Sequence, residues 1–192
     1  MLLLGSHIIG TSVMGLQTGT KLAQIAHPVI DPSNLKIAAY VIEGPMLTVH
    51  PSLLRIADVR EMGEIGMIVD SSDEFIAVDD VIKIEELYHL GFSITGMSVI
   101  DDKKHKLGKV EDYGLDSDSF IIEQLHVNRG IFKSLTETSL IINRSQIVEI
   151  NNQHIVVRST AKKVQPIMHA ERRTYVNPFR NNSPQPDTTD VS

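Results

Sequence analysis

The feature that most constrains this chain is that it repeats itself. The stretch "GTSVMGLQTGTKLAQIAHPVIDPSNLKIAAYVIEG", Gly10 to Gly44, aligns with "GMSVIDDKKHKLGKVEDYGLDSDSFIIEQLHVNRG", Gly96 to Gly130. At offsets of 85 or 86, Val13 falls on Val99, Leu22 on Leu107, Ile25 on Val110, Ile30 on Leu115, Asp31 on Asp116 and Ile42 on Val127. A shorter match sets "DVREMGEIGMIV" against "QIVEINNQHIVV" at an offset near 88. The offset drifts in small steps, as loop insertions and deletions make it. Two copies of one unit, each about 75 to 80 residues, follow from this pattern.

The unit reads as β. Short segments rich in Ile and Val, such as "LKIAAYVIEG", "GEIGMIVDSS", "SFIIEQLHV" and "TSLIINRS", are separated by Gly, Pro, Asp, Asn or Ser clusters. Their length and β-branched content predict strands, and the punctuating residues predict turns and hairpins. In "IVEINNQHIVV" the Asn151-Asn152 pair between two apolar runs predicts a tight reverse turn. One segment differs: "VDDVIKIEELYHLGF" places Val81, Ile84, Leu87 and Tyr88 at helical spacings, with Asp79 and Asp80 ahead and Gly91 behind. A short helix over residues 81–90 is expected there, joining the two halves.

The repeat also serves as a control on the most conspicuous polar stretch, "VIDDKKHKLGKVEDYGLDSDSF", which gathers Asp101, Asp102, Glu111, Asp112, Asp116 and Asp118. Where the second copy has Asp101, Asp102, Lys103 and Lys104, the first has "GLQTGT". Glycine, Thr and Gln serve a turn as well as Asp and Lys do, but they cannot ligate a divalent cation as carboxylates can. The comparison favours a β-hairpin turn over a metal or catalytic site. An EF-hand is excluded, because counting from Asp101 its third and fifth loop positions are Lys103 and His105.

"ITGMSVIDDKKHKLGKVEDYGLD" resembles the opening hairpin of PRC-barrel domains, with a small-residue start, a "V-x-D" strand end, a turn and then "LGKVxD". "TSLIINRSQIVEINNQHIVV" is similar to the closing strands of that barrel. The family includes the cytoplasmic domain of the photosynthetic reaction-centre H subunit and the C-terminal domain of a ribosome-maturation factor. The likeness covers residues 92–158 and, more weakly, 3–70, where "TKLAQIAH" replaces the "LGKVxD" turn and Ala23 stands in place of Gly108. It implies an all-β chain of two tandem small PRC-type barrels joined by a short helix. The expected division is a first barrel over 1–78, a helical connector over 79–91, a second barrel over 92–160 and a basic, largely disordered tail over 161–192. The motif carries no catalytic group, and the resemblance implies adaptor or scaffold roles.

Composition narrows the partners. Residues 1–157 hold 12 Lys and Arg against 21 Asp and Glu, net −9, whereas residues 158–192 hold 6 against 3, net +3. An acidic body with 5% aromatic residues and no Trp is a poor match for a phosphate backbone or for stacked bases. Cysteine is absent, which excludes disulfides and thiolate chemistry within these residues and is compatible with a reducing compartment. No run approaches the roughly 18 apolar residues that span a bilayer. "MLLLGSHIIG" lacks the positively charged start of a signal peptide, so a cytoplasmic location is expected.

The eight histidines, at positions 7, 27, 50, 89, 105, 126, 154 and 169, show no i, i+4 helical pair, although the strand pattern leaves room for His126 and His154 on neighbouring strands of the second unit. No "G-x-S-x-G" elbow occurs, and "GLQTGTKLA" has the wrong spacing for a phosphate loop. No catalytic, cofactor or metal residue is assigned, and the chain reads as a non-enzyme. The acidic run "DSSDEFIAVDD" is expected to be a solvated turn.

One cluster stands out as a partner-binding candidate: Lys162, Lys163, Arg172, Arg173 and Arg180 with Tyr175 and Phe179. The leading expectation is a non-enzymatic adaptor that binds a protein partner through a barrel surface, with this basic segment as a second contact. The alternative is a ribosome- or RNA-associated maturation factor that uses the same segment. Homo-oligomerisation is compatible with either.

Overall fold

Alternation of apolar and polar side chains fixes one buried face per strand, and the turns between them set the pairing. The computed structural model describes residues 1–45, 47–63, 65–129, 139–151 and 153–158. In chain order the elements are β1 (Leu2–Leu4), α1 (Gly5–Ile8), β2 (Ser12–Gly15), β3 (Lys21–Asp31), β4 (Lys36–Glu43), β5 (Ser52–Arg55), β6 (Glu61–Gly63), β7 (Gly66–Val69), β8 (Phe75–Ala77), α2 (Ile82–Leu90), β9 (Ser98–Asp101), β10 (Lys106–Asp116), β11 (Ile122–Asn128), β12 (Ser139–Asn143), β13 (Ile147–Ile150) and β14 (His154–Val157).

The strands form two sheets. One runs β6-β7-β2-β3-β4-β5-β8 and the other β13-β14-β9-β10-β11-β12, with β1 added beside β10. Among the described residues no pairing joins the two ends of either path. The six-strand order is the same in both, including a parallel contact of first strand with last, β2 with β7 and β9 with β14, among otherwise antiparallel pairs. Each sheet also carries a strand with no equivalent in the other. β8 extends the first sheet beyond β5, and β1, from the stretch the sequence assigns to the first unit, pairs with β10 of the second.

The correspondence extends to irregularities. The β3–β4 ladder shifts register between Ile25 and His27 and again between Val29 and Ile30, while β10–β11 shifts between Val110 and Asp112 and between Gly114 and Leu115. These are the same positions at an offset of 85. A bulge inserts one residue and re-aims the side chains beyond it, so its position is part of the fold. The first hairpin accounts for the change of offset from 86 to 85: Gly15 N–H donates to Thr20 C=O at 3.0 Å, whereas Asp101 N–H donates to His105 C=O at 2.9 Å across a loop one residue shorter.

The two sheets share one core. Ile25, Ile30, Ile37 and Tyr40 from the first belong to the same buried cluster as Val110, Leu115, Ile122 and Leu125 from the second. They meet at the β3–β4 and β10–β11 turns, where Ile37 N–H donates to Phe120 C=O and Ile122 N–H donates to Leu35 C=O, both at 2.9 Å. Leu35 and Phe120 are equivalent residues, as are Ile37 and Ile122, so the contact is reciprocal, like the self-complementary interface of a two-fold dimer. Both Leu35 and Phe120 are buried and take φ of 55°, which turns each side chain into the core. The shared aspartate anchors each turn. Asp31 accepts from Ser33 N–H at 2.9 Å and Ser33 Oγ at 2.6 Å, and Asp116 accepts from Ser119 N–H at 3.1 Å and Ser119 Oγ at 2.6 Å.

The expected helix is α2, which ends at Gly91 in the left-handed conformation with Gly91 N–H donating to Tyr88 C=O. Its Ile84 and Leu87 are buried against Val29, Ala39, Val41 and Leu53, a second and smaller core on the outer face of the first sheet.

Candidate functional site

The acidic stretch that invites a catalytic reading is dispersed by the fold into separate structural tasks. Asp101, 6% exposed, closes the β9–β10 turn: its Oδ1 accepts from Lys103 N–H at 2.9 Å and His105 N–H at 2.7 Å, and its Oδ2 lies 2.9 Å from His105 Nδ1. Burial pushes this carboxyl up, but the hydrogen bonds from His105 and Lys103 outweigh it and hold the group below its usual range. Asp112 ties α1 to β10, accepting from Ser6 Oγ at 2.6 Å and Ser6 N–H at 3.1 Å. Asp116 anchors the next turn. Among the described residues no three His, Asp or Glu side chains converge as cation ligands.

Two features bring chemistry-bearing residues together where the copies meet or diverge. The first is a cleft of about 630 Å³ at their junction. Equivalent residues face it in pairs: Gly5 with Gly91, His27 with Asp112, and Pro28 with Tyr113. Tyr113 is packed over Gly5, where any Cβ would overlap its ring. Burial, with the Asp112 charge adding to it, pushes the Tyr113 phenol up to about 12. Tyr40 is buried deeper, its phenol is raised further by that burial, and its hydroxyl has no partner among the described residues. Of the cleft's polar groups, Ser6 and Asp112 hold α1 to β10, and His27 and His89 lie exposed.

The second feature is the outer face of each sheet. On the first, Val29, Ala39, Val41 and Leu53 are buried beneath α2 and beside Ile76 of β8. The same places in the second sheet hold Gly114, Gln124, His126 and Ile141. Leu2 of β1 lies against Gly114, where a Cβ would come within 3.1 Å of its side chain. The far end is left open: Leu53 is 0% exposed, and its counterpart Ile141 is 54% exposed. His126, directly across the ladder from Ile141, has a buried Nε2 with no partner among the described residues. Within those residues β12 has a strand neighbour on one side alone, whereas its counterpart β5 lies between β4 and β8.

Several sequence expectations are corrected here. His126 and His154 do not lie on neighbouring strands; β10 and β9 separate β11 from β14, because β14 pairs in parallel with β9. The run "DSSDEFIAVDD" is more than a solvated turn: Asp70 forms a paired contact with Arg60 at 2.8 and 2.5 Å, and Phe75–Ala77 is β8. Three apolar residues inside an acidic run are too short for a periodicity, so only their pairing with Ser52–Leu54 identifies them as a strand. The partner-binding candidates Lys162, Lys163, Arg172, Arg173, Tyr175, Phe179 and Arg180 lie outside the described residues. No helix among the described residues is long and apolar enough to cross a membrane. Compared with known proteins, the chain matches no protein-family model and no curated protein sequence.

Proposed function

We propose that this chain is a non-enzymatic adaptor or scaffold, built from two PRC-type β-barrel units, that binds a protein partner through an exposed sheet surface, with the basic segment around Lys162 to Arg180 as an accessory contact. The observation that carries this reading is the unequal treatment of one face. Burying a Val or Leu side chain stabilises a fold by about 1.5–3 kcal/mol, and the first copy collects that gain under α2 and β8 while the second leaves Ile141 in solvent. An apolar residue on a strand that is unflanked among the described residues is a binding surface in waiting, and an acidic body favours a protein over a nucleic acid as the occupant.

The test is affinity capture from lysate with the full chain, with Ile141→Asp and with residues 159–192 deleted. A stoichiometric protein partner lost on Ile141→Asp supports the proposal. Absence of any stoichiometric partner for both the full and the shortened chain counts against it. Salt-sensitive co-sedimentation with ribosomal particles that disappears with residues 159–192 would replace it with the RNA-associated alternative.

A further inference from the structure

We infer that β12 is a docking edge for strand addition, and that its occupant is an extended, apolar segment of a partner protein that pairs antiparallel with Leu140–Ile142. This deepens the adaptor reading and rests on it. The first copy supplies the template. There β8 pairs antiparallel with β5, Phe75 opposite Leu54, Ile76 opposite Leu53 and Ala77 opposite Ser52. Ile76 packs with Leu53 on the outer face, and Phe75 packs against the shared core. Ladder equivalence carries Leu54, Leu53 and Ser52 onto Ile142, Ile141 and Leu140. A segment of the form large apolar, β-branched, small would therefore place its middle side chain over Ile141, beside His126, and its first side chain toward the core over Ile142.

Main-chain pairing at this edge does not depend on the side chains. A strand edge offers a row of N–H and C=O groups that an incoming strand satisfies, and alternate side chains then read the surface beside it. β12 has such an edge among the described residues, and it is flanked by an apolar residue whose first-copy counterpart is fully covered.

The probe is a blocked peptide of residues 71–79 of this chain, "SSDEFIAVD", added to the full-length protein, with backbone hydrogen exchange read at Ser139–Asn143. Saturable slowing of exchange by at least about 10-fold at roughly 0.1–1 mM peptide is expected, as is its loss in Ile141→Asp. Ile141 is solvent-exposed, so the variant is expected to fold; an unchanged thermal melt confirms that. Two further peptides separate strand addition from apolar sticking. One is N-methylated at the position of Ile76 and the other at those of Phe75 and Ala77. Every second amide of a strand points to one neighbour, so one of the two must lose binding and the other must keep it.

Equal binding by the two methylated peptides, or no protection by the parent peptide, overturns the inference. So does edge protection without peptide that rises with protein concentration, which assigns a second copy. Protection without peptide that is lost when the chain ends at residue 158 assigns this chain's own end and overturns it equally. If the peptide fails while partner capture persists and ignores Ile141→Asp, this inference falls and the adaptor reading stands. If capture fails as well, both fall.

Discussion

The two copies share strand order, a parallel contact of first strand with last and bulge positions, yet the outer face of one is covered by α2 and β8, whereas among the described residues the other leaves Ile141 exposed. What they keep in common is what makes the core: the apolar residues of the paired central strands, and the turns that bond reciprocally to each other. What they do not share lies at the edges, in β8 and α2 for the first copy and β1 for the second. The fold tolerates divergence where a residue faces outward and resists it where both sheets contribute to one interior.

The largest expected effect attacks the shared part. Phe120→Ala should cost about 3–5 kcal/mol and Leu35→Ala about 2–5 kcal/mol in urea unfolding, since each opens a cavity where the sheets meet. Because the two residues sit at one reciprocal contact, the double variant should be non-additive by more than about 0.5 kcal/mol. Additive losses would mean that the copies are stabilised independently.

Gly108 and Ala23 break the equivalence in a different way. Gly108 has φ of 153°, and a Cβ there would overlap the Asn128 carbonyl oxygen, a backbone atom that cannot swing aside. Gly108→Ala is therefore expected to cost about 3 kcal/mol or more, against about 1 kcal/mol for Ala23→Gly, as read by thermal melting. In the first copy the glycine lies across the pair at Gly44, whose added Cβ would come 3.3 Å from Ala23 Cα.

The outer faces give a smaller contrast. Leu53→Ala should cost about 2–3 kcal/mol and Ile141→Ala less than about 0.5 kcal/mol, because one is fully buried and the other is not. A large loss at Ile141 would mean that something covers it in the free protein.

The smallest effect is on acid stability. Burial raises the Asp31 carboxyl, but hydrogen bonds from Ser33, the Lys83 charge and Asn34 hold it below its usual value; Asp116 is lowered first by the Ser119 hydroxyl and then by its N–H. A carboxyl that is more acidic folded than unfolded contributes stability above the unfolded value of about 3.9, and that contribution is lost as pH falls toward the folded value. Asp31→Asn and Asp116→Asn should each flatten the decline of the urea midpoint between about pH 5 and about pH 2. An unchanged slope in both would show that the turns do not depend on charge.

The sequence repeat carried most of the architecture, because a two-residue side-chain period survives substitution among Ile, Val and Leu: β4, β7, β12 and the β13–β14 hairpin fall within the segments expected, and β11 runs one residue past its own. The helix was legible for the same reason, from its spacing and its glycine stop. β8 and β1 were not, since three residues hold too little pattern and their partners are distant in the chain. The open face was illegible in principle. It depends on which strands the described residues place beside Ile141, and no single residue type encodes the lack of a neighbour.

The reciprocal bonds between Ile37 and Phe120 and between Ile122 and Leu35 have a kinetic meaning. A single copy bearing this turn would need to find another by diffusion, and both would have to stay identical to fit. Joined in one chain, the second copy is present at an effective concentration on the order of millimolar whatever the cell contains. Docking then no longer depends on abundance, and only the inner surfaces must match. The outward surfaces are released from that constraint, which lets one half acquire a covering helix while the other, among the described residues, leaves Ile141 exposed.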